Sequence, residues 1–189
     1  MRALGLDIST SCTGWCILEN VDGVISNVEM GAIKLEKIES TFSKANLVRD
    51  HLLTLKSREV EAIFIEENLQ SFSSGLSSAQ TLVTLARFNG IVSFISEDVL
   101  GISPVFINVS SARKQLGLKT VKETICGIPL KEQVFDWVKK DQLQREILVE
   151  WPYKNLKSGP RKGEIVLDKS AYDMSDAYVM ALAGALAPQ

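Results

Sequence analysis

The stretch Leu4-Gly5-Leu6-Asp7-Ile8-Ser9-Thr10-Ser11-Cys12-Thr13-Gly14-Trp15 decides how this chain is read. Its apolar start reads as a short strand that ends on a carboxylate, Asp7. Ser9 to Gly14 is a run of small polar residues suited to a tight turn, and Trp15-Cys16-Ile17-Leu18 returns as a second strand. A further turn over residues 20–23 leads to apolar positions in residues 24–35 that fit a third strand. Two short connections between three strands predict an antiparallel meander.

Beyond the meander, helical and strand patterns alternate. Residues 40–56 predict a helix with Phe42, Ala45, Leu47, Val48, Leu52 and Leu55 on or near one stripe. Val60-Glu61-Ala62-Ile63-Phe64-Ile65-Glu66 is a β-rich run whose continuous apolar centre suits an interior strand. A serine-rich loop over residues 71–78 precedes a long helix that runs to about Glu97. Pro104-Val105-Phe106-Ile107 reads as another strand, followed by a short helix over residues 110–116 with Ser110 or Ser111 as N-cap. Residues 130–140 predict an amphipathic helix with Val134, Trp137 and Val138 inward. Residues 151–169 are polar and broken by Pro152, Gly159, Pro160 and Gly163, which predicts a loop or hairpin. Residues 171–187 are rich in small side chains and suit a helix packed closely on a sheet. The order predicts a single α/β domain over residues 1–189, with a five-stranded mixed sheet (three antiparallel strands plus two parallel) flanked by helices.

The composition narrows the class. With 46% hydrophobic residues in 189, the chain can bury a core, which excludes intrinsic disorder. It has no apolar run of membrane-spanning length and no signal-peptide pattern, so the expected location is cytoplasmic. Three cysteines, Cys12, Cys16 and Cys126, leave one unpaired in any disulfide scheme, which fits a reducing compartment. The net charge of −2 argues against a protein that coats nucleic acid indiscriminately. Split by halves, residues 1–98 sum to −5 and residues 99–189 to +3, which leaves room for one basic face in the C-terminal half. His51 is the only histidine and falls on the predicted amphipathic helix, which excludes an ordinary Ser-His-Asp triad. No phosphate-cradling glycine loop or dinucleotide fingerprint is present, so no nucleotide cofactor is expected.

The acidic residues stand out by position. Asp7 ends the first strand, Glu66 and Glu67 end the fourth, and Asp173 and Asp176 lie three apart near the start of the last helix. Parallel neighbouring strands one and four would bring their C-terminal ends to one edge, where open α/β sheets place their sites. Taken singly, each acid could be a turn former or a helix cap. Together they deliver negative charge from three segments to one edge, a combination that hard divalent cations neutralise. Two such ions clamp the attacking and leaving oxygens of a phosphoryl displacement.

These residues resemble the motifs of RuvC-type Holliday junction resolvases, members of the RNase H-like superfamily, and the pattern fits a phage or otherwise divergent member. The opening stretch is similar to the family's first motif and Phe64-Ile65-Glu66-Glu67 to its second, which favours Glu66 as ligand and leaves Glu67 as runner-up. Tyr172-Asp173-Met174-Ser175-Asp176-Ala177 resembles the terminal Asp-x-x-Asp-Ala motif. Pro104-Val105-Phe106 followed by Lys114, and then Lys131-Glu132-Gln133-Val134, resemble the stretches that carry the family's two functional lysines. The resemblance implies an RNase H-like fold and a Mg²⁺-dependent endonuclease that resolves four-way DNA junctions by paired symmetric nicks. It implies catalytic Asp7, Glu66, Asp173, Asp176, Lys114 and Lys131, with the four acids holding two Mg²⁺ for which Mn²⁺ can substitute. It further implies 5′-phosphate and 3′-hydroxyl products, a homodimer, and a bacterial or phage-infected cell as the setting.

Two departures qualify the match. The family often places a base-stacking aromatic three residues after the second acid; here that position is Leu69, and Phe72 becomes the candidate for the role. The spacing from Lys131 to Asp173 is longer than in compact bacterial enzymes, and the extra length carries Lys154, Lys157, Arg161, Lys162 and Lys169. Expected DNA contacts are Phe72, Lys114, Lys119, Lys131, Lys157, Arg161 and Lys162. The long helix over residues 78–97, with Leu82, Leu85, Ala86 and Phe88, is the candidate dimer face. The alternative reading is a non-cleaving RNase H-like domain that binds nucleic acid or a partner. A sugar-kinase or actin-like ATPase half, whose first phosphate motif is similar to Gly5–Ser11, needs two such folds and a second glycine-rich loop.

Overall fold

The chain was analysed as a computed structural model, which describes residues 1–67 and 79–187. Strands β1 (Arg2–Ile8), β2 (Cys12–Val21) and β3 (Val24–Lys34) form the expected antiparallel meander. The β2–β3 turn is Asp22-Gly23, both with positive φ (52° and 86°), as a two-residue hairpin of matching twist requires. Strand β4 (Ala62–Glu66) lies parallel beside β1, and β5 (Val105–Ile107) lies parallel beside β4. The sheet order is β3-β2-β1-β4-β5, so β4 is an interior strand and Ile63 and Ile65 are fully buried.

Helices cover both faces. Leu4, Leu6, Ile8, Ile63 and Ile65 pack in one core with α1 (Thr41–Leu55) and α2 (Ala79–Leu100). Ala3, Cys16, Leu18 and Phe64 pack in the other with α3 (Val109–Gln115), α5 (Leu130–Gln144) and α6 (Ser170–Ala185). A short helix, α4 (Glu123–Cys126), precedes α5. Strand alternation therefore assigns Gly5 and Asp7 to the α6 face with Ala3, and Glu66 to that face with Phe64.

Helix α6 lies almost on the sheet backbone. A Cβ at Gly5 would run into the backbone of Ala177 and Ala181, and one at Gly14 into the backbone of Asp173. The small residues read from the sequence are what allow this approach. A second sheet, the hairpin of β6 (Tyr153–Asn155) and β7 (Ile165–Leu167), fills the segment expected to be a loop or hairpin. Asp168, at its base, accepts from the Ser170 backbone N–H at 3.0 Å and hydroxyl at 2.8 Å, and pairs with Lys34 of β3 at 2.9 Å.

Several sequence expectations are corrected in detail. Phe42 and Leu47 point outward, 73% and 38% exposed, because only Ala45, Val48, Leu52 and Leu55 of α1 face the sheet. The cap of α3 is Asn108, whose Oδ1 accepts from the backbone N–H groups of Ser110 and Ser111, the two residues expected to cap it. In α5 the expected Val134, Trp137 and Val138 do pack on the core, Trp137 half-buried, and buried Phe135, edge-on to Trp151 at 4.8 Å, joins them unforeseen. That helix continues to Gln144, tied down where Asp141 accepts from the Tyr178 hydroxyl (2.7 Å) and Arg145 Nε (2.8 Å). Phe88 is fully buried in the core beneath α2 and is not part of an outer face. His51 packs against Trp15, ring centroids 5.0 Å apart, and burial lowers its pKa. The serine-rich loop, Leu69 and Phe72 lie outside the described residues.

Two outcomes follow. Gly5→Ala should lower unfolding free energy by about 1–3 kcal/mol or more through overpacking. Gly90→Ala, on an open face of α2, should raise it by about 0.5–1 kcal/mol; urea denaturation of both variants measures the contrast. Asp168 supplies a pH test. Burial alone would raise its pKa, but the Ser170 backbone and hydroxyl donors and Lys34 outweigh it and hold the carboxyl well below the usual range. A depressed carboxylate stabilises the fold above the unfolded value of about 3.9 and loses that contribution as pH falls through the folded value. The melting-temperature gap between wild type and Asp168→Asn should therefore be steady near neutrality and shrink below about pH 4.

Candidate active site

Four carboxylates meet where β1 and β4 end under the first turns of α6. Asp7 is the penultimate residue of β1 and Glu66 the last of β4, on adjacent parallel strands. Asp173 lies in the first turn of α6 and Asp176 in the next, on the helix that packs against β1 and β2. The backbone contact at Gly14 fixes the height of Asp173 above the sheet edge.

Each carboxyl is shifted by its surroundings. Burial, then the charges of Asp176, Glu66 and Asp173, pushes the Asp7 carboxyl well above the ordinary carboxylate range, against the opposing pull of Lys131. Burial and Asp176 push Glu66 up to about 7, although Arg113 and Lys131 favour its charged form. Asp173 is raised by burial and tempered by the Cys12 thiol, which donates to it, and by Lys131. Asp176 is raised by burial and tempered by Arg113 and Lys131. Arg113 Nη2 donates to Asp176 Oδ1 at 3.2 Å, with both side chains largely buried.

Two cavities flank the acids. One, about 230 Å³, is lined by Asp7, Glu66 and Glu67 on one side and by Leu82, Leu85 and Asn89 of α2 on the other. Asn89 also donates to the Glu66 carbonyl at 3.4 Å. The second, about 350 Å³, opens on the far side of Asp173 towards the β6–β7 hairpin.

The oxygen-only donor set suits a hard divalent cation, and carboxyls held up by mutual repulsion and burial are what such an ion would relieve. Among the described residues, however, no three His, Cys, Asp or Glu side chains are gathered into a ready-made ligand set. Asp176 is instead engaged with Arg113.

The remaining sequence candidates are dispersed. Lys131, in the first turn of α5, is exposed yet close enough for its charge to act on all four acids. Lys114 is exposed on α3, and it is its neighbour Arg113 that reaches Asp176. Lys119 is exposed beyond α3; Lys157, Arg161 and Lys162 are exposed in the turn of the β6–β7 hairpin, where Arg161 pairs with Glu164 at 2.7 Å. Glu67 continues the β4–β5 pairing by donating its backbone N–H to Ile107 at 2.9 Å. The sequence reading missed Arg113, the Cys12 thiol and Asn89. Arg113 and Lys114 are adjacent cations on one short helix, and no sequence signal separates them; the partly buried position of Arg113 in the fold does.

Comparison with known proteins gives an architectural answer. No family model matches the chain, and no curated protein does. Among solved structures, Thermus thermophilus RuvC is similar over 97% of this chain and 92% of its own, with 17% identity and a TM-score of 0.59. The same protein in complex with a Holliday junction substrate matches over the same shares with 16% identity and a TM-score of 0.59. The Fowlpox virus resolvase, in complex with substrate Holliday junction DNA, covers 98% of this chain and 97% of its own with 12% identity and a TM-score of 0.52. What is held in common at these identities is the path of the backbone: the chain has the RNase H-like fold of the RuvC-type resolvases.

Proposed function

We propose that this chain is a metal-dependent endonuclease that cuts four-way DNA junctions. The observation that carries the reading is the convergence of Asp7, Glu66, Asp173 and Asp176, from three separate segments, at the open edge of β1 and β4. Its likeness in fold to two resolvases, each also solved with junction DNA, supports the substrate class.

In this reading the four carboxylates would hold two Mg²⁺, or Mn²⁺ in their place, with Glu67 in reserve beside Glu66. Bound there, the ions would supply charge neutralisation and activation of water for in-line phosphodiester hydrolysis, leaving 5′-phosphate and 3′-hydroxyl ends. The protein's own part is positioning and electrostatics. The α6–β1 contact holds two acids over two strand ends, and Lys131 brings positive charge to the edge where a scissile phosphate would lie. Arg113 steadies Asp176 and offsets the cost of the crowded anions. Lys114, Lys119, Lys157, Arg161 and Lys162 lie on exposed surface suited to backbone phosphates, which position a duplex without reading its bases. Symmetric cutting of a two-fold junction calls for a homodimer, and the outer face of α2, with exposed Val83 and Phe94, is the apolar surface offered for it.

One observation favours the alternative of a non-cleaving nucleic-acid-binding domain: the acids are not already gathered as a ligand set among the described residues. Incubation with a mobile four-way junction, a duplex and a flap, with Mg²⁺ and with chelator, separates the two. Paired nicks confined to the junction and dependent on Mg²⁺ are expected, and Asp7→Asn should abolish them while junction binding stays near normal. Uncut junction that is nevertheless bound tightly would establish the binding domain instead.

A second outcome reads the site without activity. Glu66 titrates near 7 in the fold and near 4.3 when unfolded, so the fold prefers its protonated form. Without divalent ions, stability should fall as pH rises from about 4 to about 7 and stay low above that. Glu66→Gln should therefore melt higher than wild type at pH 8, the gap closing towards pH 4. Mg²⁺ should raise the wild-type melting temperature by mass action and raise that of Glu66→Gln less. A wild type whose melting is unmoved by Mg²⁺ and Mn²⁺ contradicts the metal assignment.

A further inference from the structure

The cavity on the far side of Asp173 is lined by four lysines from four elements. Lys34 ends β3, Lys131 begins α5, Lys154 lies on β6 and Lys169 stands between β7 and α6. Against them stand Glu36, Asp168 and Asp173. Asp168 is buried and divides its carboxylate between Lys34 at 2.9 Å and Lys154 at 3.7 Å, so it aligns two ammonium groups while neutralising only one. Lys169 has no ion-pair partner within 4 Å among the described residues, and the charge of Lys131 is shared with the acidic centre. The surplus in the cleft is cationic.

We propose that this cleft seats one backbone phosphate of the DNA strand entering the carboxylate centre, with Lys154 and Lys169 as its direct contacts. The assignment rests on the nuclease reading above. Three features favour a DNA strand over a lone small anion. Asp173 lines the cleft and also belongs to the acidic centre, so a group held there is adjacent to the reacting edge. Positive charge continues outward along the same hairpin through exposed Lys157 and Lys162, with Arg161 beside them paired to Glu164, which gives a polyanion a track and a single anion nothing further. A volume of about 350 Å³ accommodates a phosphodiester with part of its sugar. Asp168 acts here as a positioning residue: it docks the hairpin on β3 and presents Lys154 to the cleft.

The test is junction binding by fluorescence anisotropy in chelator across a salt series. Four proteins are compared: wild type, Lys154→Gln/Lys169→Gln, Lys154→Arg/Lys169→Arg, and Lys140→Gln, an exposed α5 lysine outside the cleft. The slope of log affinity against log salt should be shallower by about 0.9 in the glutamine pair, the share of one phosphate. The arginine pair should restore it, and Lys140→Gln should match wild type. Asp168 keeps its closer partner Lys34 when Lys154 is replaced, and Lys169 and Lys140 are exposed, so the variants should stay folded at the assay temperature, which a melting curve of each checks. An unchanged slope in the glutamine pair overturns the cleft assignment and leaves the nuclease reading standing. So does an equal loss in Lys140→Gln, because the effect would then belong to net charge alone. A wild type that binds neither junction nor duplex overturns the nuclease reading itself.

Discussion

The structure depends on how close α6 comes to the sheet. Ordinary helix-on-sheet packing is separated by two layers of side chains, but here Gly5 and Gly14 let the helix backbone rest on the strand backbone. Ala177, Ala181 and Gly184 keep the helix side of the contact equally thin. The gain is not only burial. A helix seated at this height carries Asp173 and Asp176 to the level of the strand ends, where Asp7 and Glu66 already face it. A larger residue at Gly14 would press directly on the Asp173 backbone, so the packing contact and the placement of the acid are one constraint.

That convergence is costly to the folded state. Burial disfavours the charged forms of all four carboxyls, and repulsion from neighbouring acids adds to it at Asp7, Glu66 and Asp173. The protein offsets part of the cost with specific partners. Arg113 binds Asp176, the Cys12 thiol donates to Asp173, and Lys131 lowers the energy of every acid in the group. Crowded carboxyls held against their charged forms inside an otherwise well-packed core are the pattern on which the proposed metal site rests.

The sequence disclosed the parts of this arrangement that have a local signal. Apolar runs ending in Asp7 and Glu66 fixed the strands and their terminal acids, and alternation with Phe64 gives the physical reason that Glu66 turns to the α6 face. The small-residue character of α6 foretold its close seating. Choices set by tertiary packing were hidden. Arg113 and Lys114 differ by about 100° around a helix, and the packing of α3 against α6 turns Arg113 to the acids. Phe42 has the spacing of a core residue but faces out, because α1 needs only a narrow stripe to cover its strands. Asp168 and Lys34 are 134 positions apart, and nothing in either neighbourhood announces their pairing.

Local charge, rather than the net −2, governs what such a surface can hold. Screening at physiological salt confines the influence of exposed charges to about 8 Å, so what counts at the acidic centre is the lysine cleft that adjoins it, whose Lys131 acts on all four acids. The division runs through Asp173. On one side lie Asp7, Glu66 and the apolar wall of Leu82 and Leu85; on the other lie Lys34, Lys154 and Lys169. An acidic edge alone would repel a nucleic-acid strand. In the proposed reading, lysines immediately beside it supply the compensating attraction: Lys34 from β3, Lys154 from the hairpin that buried Asp168 anchors, and Lys169 from the cap of α6 itself. In that reading strand binding and chemistry meet at Asp173, which lines the lysine cleft and belongs to the acidic centre, so a change at this residue would be felt by both.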